Sequence, residues 1–564
     1  MQLVFLMRPY IKTMFACAFC VVLVNAAELA KPLVAAFIID DFLVDRNTQS
    51  GLYSILGMGA VYFTITLAGA LLFLAQVRLT ARVSQLILAG MRNEVFKKIL
   101  LMPMKTLDKF GTGRLITRAT NDVETINEFY SDVFINLFKD IFLLAGIVVT
   151  MLALDARLAL AAFTGVPVIL AITMSVKKLL TNNFRKMKTI ISQINGFFAE
   201  NMGGMRIVQA FNRQAQKLGE FRVLNAAYFI TTKTQVLLNT FLRPTMEVVN
   251  TLVIALLVVY GYRRIGGDTL SIGVLYAFTH YIKQFFEPIN DLAEKYTTVQ
   301  SALVSTERIY EILDEDDTED PGAGTHGGQV RGDVEFRDVW FAYDEGIWVL
   351  KGVSFRVKAG QKAAIVGATG VGKSTIINLI ARYYTAQKGD ILIDGVSVAE
   401  WRLHDLRRGV ATVLQDVFLF SGNLEENIDM YAGLDTEEIE AALETACAGF
   451  IAEQGGVRSA VTEQGLNFST GQRQLLSFAR AIAHTPGVLV LDEATAHIDT
   501  VTEEMVTESI ERVSAGRTSI IIAHRLSTIR ACNVIFVLKD GMVAEQGTHD
   551  GLIAQGGIYR RMLA

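Results

Sequence analysis

Six stretches within the first 300 residues are apolar for long enough to cross a bilayer, and no other property of the sequence restricts its fold as much. A span needs ~20 mainly apolar residues to cover ~30 Å of hydrocarbon. Windows within 13–38, 52–77, 133–154, 158–176, 246–262 and 270–289 meet that demand, and several continue as amphipathic helix beyond it. The first window lies too near the start and runs too long for a cleaved signal peptide, and no small-residue cleavage site follows it. A multi-pass membrane protein in contact with the lipid bilayer is expected. Four cysteines are too few for a disulfide framework. Cys17 and Cys20 form a CxxC inside an apolar run, which suits packing better than redox chemistry.

A mean hydropathy of +0.35 excludes a disordered chain and disfavours an ordinary soluble enzyme. Residues 1–300 carry 30 basic and 19 acidic side chains; residues 301–564 carry 23 and 38. The two halves therefore suit different surroundings. Lysine and arginine near span ends set orientation. The connection after the second span is basic (Arg82, Arg92, Lys97, Lys98, Lys105, Lys109), as is that after the fourth (Lys177, Lys178, Arg185, Lys186, Lys188), whereas the 39–51 loop is acidic. Arg263 and Arg264 run against the pattern. The balance places both long connections and both termini in the cytoplasm, with the spans in the cell membrane. Charges inside spans are expensive and point to function. Glu28 with Lys31, Glu247 with Asn250, and His280 with Lys283 each share a helical face, and are candidates for cargo contact or for facing a cavity or neighbouring helix.

The second half reads differently. Asp314–Asp320 followed by Pro321, Gly322, Gly324, Gly327 and Gly328 makes 301–330 a linker between a membrane domain (1–300) and a second domain (331–564). Strand-like alternation starts at Val334. Short β-branched runs (Ala363–Val366, Ile391–Ile393, Val488–Leu491, Ser519–Ile522) then alternate with helical patterns, as in an α/β domain. Asp394-Gly395 marks a tight turn.

Gly367-Ala368-Thr369-Gly370-Val371-Gly372-Lys373-Ser374 matches GxxxxGK[ST] after a strand and before a helix that continues from Thr375. Its glycines let backbone N–H groups converge on phosphate oxygens, Lys373 adds charge, Ser374 offers Mg²⁺ a hydroxyl, and the helix start favours anions. The domain is expected to bind a nucleoside triphosphate. Four apolar residues from Val488 deliver Asp492 and Glu493 to a strand end, where Asp492 would hold Mg²⁺ through water and Glu493 would activate the attacking water. Ser469-Thr470-Gly471-Gln472 opens a helical segment and suits either an anion-binding end or a plain N-cap.

Taken in order, these motifs resemble those of ATP-binding cassette (ABC) transporters of the exporter type. The resemblance covers the whole chain: an α-helical six-span transmembrane domain, then an α/β P-loop nucleotide-binding domain. It implies ATP and Mg²⁺ as ligands. Tyr343 is similar to the family's adenine-stacking aromatic. Gln415 resembles the glutamine that joins the Mg²⁺ shell, Ser469–Gln472 the signature sequence, Asp499 the D-loop aspartate and His524 the switch histidine. It further implies that the signature of one subunit closes over the P-loop of another, and that short transverse helices near Thr106–Gly113 and Phe211–Leu218 touch the ATPase domains. The family's usual Leu-Ser-Gly-Gly-Gln is here Phe468-Ser469-Thr470-Gly471-Gln472. Thr470 adds a Cβ and restricts the backbone near phosphate, which favours a heterodimer with a second half-transporter over a homodimer.

The resemblance thus implies ATP-driven export of hydrophobic or amphipathic compounds by alternating access, with a lipid or lipid-linked flippase as the alternative. A cassette acting on nucleic acid is excluded by the spans. Phe278, Tyr281, Phe285 and Phe286 suit an amphipathic cargo and helix packing equally.

Overall fold

The computed structural model describes residues 8–44, 54–265, 270–492, 500–523 and 525–563. It divides into two compact units, Met1–Lys97 with Gly113–Asp314 and Lys98–Thr112 with Glu315–Ala564.

The first unit is helical. In order come α1 (Ile11–Ile38), α2 (Ile55–Leu100), the short α3 (Met104–Phe110, which belongs to the second unit), α4 (Thr112–Leu154), α5 (Ala156–Phe163), α6 (Gly165–Gly203), α7 (Met205–Ala210), α8 (Gln214–Ile265) and α9 (Ile272–Leu313). At 1.5 Å per residue α2 reaches about 69 Å, more than twice the hydrocarbon thickness. Among the described residues, length and composition by themselves qualify four helices, α1, α2, α4 and α8, as candidate spans. The fourth expected span is broken at Thr164 between α5 and α6. The sixth lies in α9, where His280, Lys283, Gln284 and Glu287 dilute the apolar run.

Packing within this unit explains several residues that the sequence left ambiguous. Phe278, Tyr281, Phe285 and Phe286 lie in one core with Ile147, Met151, Leu158 and Leu257. The Tyr281 hydroxyl donates to the Leu29 carbonyl at 2.5 Å. These aromatics hold helices together. Arg264, which ran against the charge pattern, is paired at 2.7 Å with Asp155, and both side chains are largely buried. Its charge is neutralised locally. The stretch read as linker begins inside α9, because Ala302, Ile309 and Ile312 are buried at helical spacing. Lower on α4 a π-helical turn, Arg118–Asp122, carries two buried charges. Arg118 meets Glu311 at 2.6 Å, and Asp122 accepts from Ser305 at 2.9 Å.

A second short helix lies just before the segment Phe211–Leu218, where one was expected. Gly203-Gly204 ends α6, α7 spans Met205–Ala210, and Asn212 (φ 51°) turns the chain into α8, so residues 214–218 already belong to the long helix.

In the second unit, β1 (Val334–Ala342), β2 (Trp348–Val357), β4 (Lys388–Ile393) and β5 (Val396–Ser397) form an antiparallel sheet in the order β2-β1-β4-β5. Asp394 and Gly395, both at positive φ, turn β4 into β5. A six-stranded sheet contains β3 (Lys362–Gly367), β6 (Val410–Val413), β9 (Val488–Asp492), β10 (Thr518–Ile522), β11 (Val534–Lys539) and β12 (Met542–Gly547), ordered β12-β11-β3-β10-β9-β6; β12 alone is antiparallel. The remaining pair, β7 (Gly422–Asn423) and β8 (Ala460–Val461), is a short antiparallel ribbon. Strands buried on both faces read as continuous apolar runs, and the period of two sorts them. Ala364, Val366, Leu489, Leu491 and Ile521 face one core, while Ala363, Ile365, Val488, Val490, Ile520 and Ile522 face the other. The second core also holds Phe336 and Phe355 of the antiparallel sheet, with the Phe355 ring centred 4.8 Å from that of Phe536. Two apolar layers thus fix β3, β10 and β9 side by side, and the candidate site grows from their ends.

Candidate functional site

The loop after β3 leads into α10 (Lys373–Ile380). Two of its glycines are obligatory for backbone reasons. Gly370 and Gly372 lie at φ 84° and 101°, and a Cβ on Gly372 would come within 2.6 Å of Leu350. Ala368, Thr369 and Gly370 form the exposed lip of the loop, whereas Lys373 and Thr375 are buried beneath it. The Lys373 ammonium donates to the carbonyls of Gly367 (2.8 Å) and Ala368 (2.9 Å), which holds it under the loop. Burial pulls its pKa below the usual lysine range, and the Asp492 carboxylate opposes that shift.

Ser374 and Asp492 meet although 118 residues separate them: the Ser374 hydroxyl donates to Asp492 Oδ2 at 3.2 Å. The sheet causes this meeting. Ile522 of β10 pairs with Ile365 of β3 on one side and with Asp492 of β9 on the other, so both motifs emerge from the same edge. A hydroxyl and a carboxylate converging beside a phosphate-binding loop are hard oxygen donors of the kind that suit Mg²⁺.

Tyr343, just past β1, is anchored to the same helix. Its hydroxyl donates to Thr375 Oγ1 (3.3 Å) and accepts from Asn378 Nδ2 (3.1 Å), while its ring stays 43% exposed. Gln415 is exposed two residues past β6, whose Val413 pairs with Leu491 of β9; this places it one strand from Asp492 without joining it to Ser374. The loop that starts there is framed by residues that carried no sequence signal. Asn427 exchanges hydrogen bonds with the backbone of Phe420 (2.8 Å each), and the half-buried guanidinium of Arg480 donates to the carbonyls of Asn427 (2.7 Å) and Phe418 (3.0 Å).

Ser469 caps α11 (Thr470–Ala483). Its hydroxyl accepts from the Gln472 N–H at 3.2 Å, and the Gln472 side chain accepts from the Ser469 N–H at 3.0 Å, a capping box. Gly471 is buried within the first turn. Thr470 is exposed at the first helical position, outside the left-handed region. The expected backbone restriction therefore does not operate, because any residue adopts helical φ there; only the Cβ and hydroxyl remain as differences from glycine. Glu493, Asp499 and His524 lie outside the described residues.

A phosphate-binding loop, a strand-end carboxylate beside its serine, and a capped helix on an α/β unit, joined to long apolar helices, define an ATP-binding cassette carried by a membrane protein. The family profile described as ABC transporter transmembrane region matches residues 14–289, and the ABC transporter profile matches residues 350–496. YheH of Bacillus subtilis, named for multidrug resistance as an ABC transporter ATP-binding/permease protein, is 38% identical over 84% of this chain and 72% of its own length. An ATP-dependent lipid A-core flippase of Syntrophus aciditrophicus is 30% identical over 100% and 93%. The solved structure of a bacterial Atm1-family ABC exporter with ATP bound superposes with a TM-score of 0.79 at 27% identity, over 98% of this chain and 97% of that one. The chain belongs to the ABC transporter family and is a half-transporter of the exporter type. It is a membrane protein that binds ATP, couples hydrolysis to transport, and works as a dimer.

Proposed function

We propose that this half-transporter moves hydrophobic or amphipathic compounds out of the cytoplasm by alternating access, with the cassette and both termini on the cytoplasmic side of the cell membrane. The observation that carries the cargo reading is the division of α9. Phe278, Tyr281, Phe285 and Phe286 are consumed by helix packing, whereas Tyr276, His280, Lys283 and Glu287, spaced four, three and four apart, form one exposed stripe. Charge on a bilayer-depth helix is tolerated where it meets water or protein. The wall offered to cargo is then mixed, aromatic and charged, which suits an amphiphile. Glu28 and Lys31, paired at 2.7 Å on α1, would add to it, as would Glu247 and Asn250 on α8. A lipid or lipid-linked substrate is the second reading, favoured by the likeness to a lipid A-core flippase.

At the nucleotide site, Gly367–Thr375 would cradle the phosphates and Lys373 would balance their charge. Ser374 and Asp492 would hold Mg²⁺, Asp492 through water, together with Gln415; the ion would offset phosphate charge. Tyr343 would seat the adenine. Glu493 would take a proton from the attacking water, with His524 and Asp499 completing the site. The hydrogen bonds of Ser469 and Gln472 stay within their own helix turn, leaving that end to meet the P-loop of a partner. The partner is taken as a second, different half-transporter because Thr470 places a Cβ where the family has glycine.

The test is ATPase activity of the assembled transporter in lipid vesicles over a panel of amphipathic drugs and lipids. Stimulation by drugs supports export of amphiphiles; stimulation by lipids alone supports the flippase. In the same assay Lys373→Ala should lose both ATP binding and turnover, and unchanged binding would reject the phosphate cradle.

A further inference from the structure

The adenine-seating role given above to Tyr343 assumes that something holds its ring, since a half-exposed aromatic costs side-chain freedom when it stacks. The hydroxyl is held by Thr375 and Asn378. The ring is held from the side by a second tyrosine. Tyr384 lies edge-on to Tyr343 with centroids 5.0 Å apart and planes at 86°, and it also meets Phe341 at 5.7 Å. Phe341 in turn packs edge-on to Tyr343 at 4.8 Å. The three rings form a closed edge-to-face triangle, the arrangement aromatic quadrupoles prefer.

Tyr384 is itself tied down from outside the two sheets. Its hydroxyl donates to the carboxylate of Asp108 on α3, 276 residues away in sequence. Burial first, and then that carboxylate, push the phenol above its ordinary pKa, so it stays a donor. The segment around α3 is fixed to the same unit at further points. The Lys98 ammonium donates to the Glu315 carbonyl. The Glu319 N–H donates to the Leu101 carbonyl at 2.7 Å, and the Glu319 carboxylate receives a two-pronged contact from Arg407 at 2.7 and 2.8 Å.

We propose that Tyr384 is a positioning residue for the nucleotide base: Asp108 of α3 orients Tyr384, and Tyr384 orients Tyr343. Adenine affinity is then set partly by a helix that lies, in sequence, between two membrane helices, and a shift of α3 changes how well the base is held. This rests on Tyr343 being the adenine seat, which fails separately from the relay.

The experiment uses the full transporter in lipid vesicles with Asp108→Ala, Asp108→Asn, Tyr384→Phe and Tyr343→Ala. It reads KM and kcat for ATP together with the inhibition constant of tripolyphosphate, which engages the phosphate loop without a base. Loss of one aromatic contact or its orientation should raise KM for ATP roughly three- to ten-fold. Asp108→Ala and Tyr384→Phe should do so alike while kcat and tripolyphosphate inhibition hold, and Asp108→Asn, whose amide oxygen still accepts from the phenol, should restore KM. An unchanged KM in both, a parallel loss of tripolyphosphate affinity, or failure of Asp108→Asn to rescue overturns the relay. If Tyr343→Ala leaves KM for ATP unchanged, the adenine seat itself is wrong, whatever the other variants do.

Discussion

Buried polar groups in the cassette mostly close on their own backbone, whereas those in the helical unit often do not. Thr518 donates to the Gly332 carbonyl (2.7 Å) and accepts from the Gly360 N–H (2.9 Å), Ser509 donates to the Ala446 carbonyl, and Asn427 uses both ends of its amide. In the helical unit the side-chain carbonyl oxygens of Asn25, Gln76, Asn127, Asn250 and Gln284 are buried without a hydrogen-bond partner among the described residues. An unsatisfied buried acceptor costs about 1–3 kcal/mol in an ordinary core. The cassette therefore satisfies most of its buried polar groups within its own unit, with Arg473 Nε, Ser514 Oγ and Ser519 Oγ as exceptions among the described residues. The helical unit carries buried polar capacity that its described side chains leave unused.

The comparison is tested most severely at the catalytic end. If the cassette's chemistry is concentrated in a few side chains at strand ends, Glu493→Gln should lower turnover by about 10²–10⁴ while ATP still binds, and it should accumulate the closed dimer. Wild-type turnover from this site, with the partner's site disabled, would remove Glu493 from the role.

Next in size is a core substitution. Ile521 lies on the central strand β10, 1% exposed, in the core shared with Leu489, Leu491 and Ala364. Ile521→Ala should cost about 2–5 kcal/mol of cassette stability, read as a lower thermal midpoint of the transporter's ATPase. No shift would mean that the sheet tolerates cavities and that the contrast with the helical unit is overstated.

The same contrast explains what could be read in advance. The P-loop and the strand delivering Asp492 are local patterns: glycine spacing where only positive φ fits, and a short apolar run ending in a carboxylate. Their pairing through Ser374 follows once the parallel sheet is assumed. What escaped was non-local or depended on packing. Asp108 and Tyr384 are joined across the chain, and no spacing announces them. Arg480 and Asn427 look like ordinary surface residues until the loop after Gln415 is folded over them. Phe278 and Phe285 could be cargo contacts or core until neighbouring helices are placed. The short helix Met205–Ala210 is set by the Gly203-Gly204 break, a local signal that the basic character of this connection masks. At Thr470 the helix start visible in the sequence already implies helical φ, so its Cβ restricts nothing in the backbone.

A smaller effect, of opposite sign, is expected in the helical unit. Asn250→Leu keeps the branching of the side chain and removes a carbonyl oxygen that has no partner among the described residues. It should leave thermal stability of the detergent-solubilised protein unchanged or raise it by up to about 1–2 kcal/mol. A loss of stability comparable to Ile521→Ala would show that Asn250 is structural and would erase the contrast.

The smallest effect concerns Thr470, and it bears on whether the cassette's one open end differs from the family's. Because Thr470 begins α11 with helical backbone and the cap is made by Ser469 and Gln472, Thr470→Gly frees no strained torsion. Gly at a helical position loses up to about 1 kcal/mol relative to a good helix former, and less at a first turn where the N–H groups are already unpaired. Against this stands the removal of a Cβ and a hydroxyl from the end that approaches a partner's phosphates. The two contributions are similar in size and opposite in sign, so ATPase activity of the assembled transporter should change by no more than about five-fold, which is roughly 1 kcal/mol. In a homodimer both composite sites carry the change; in a heterodimer only the one holding the partner's P-loop does, and only while the partner's catalytic glutamate is intact. A purified transporter whose two sites respond equally is built from two copies of this chain, whereas a response confined to one site, measured with each P-loop lysine disabled in turn, requires a different partner. A rise well beyond five-fold would mean that the Cβ of Thr470 blocks phosphate approach outright, and that its backbone geometry had little to do with the defect.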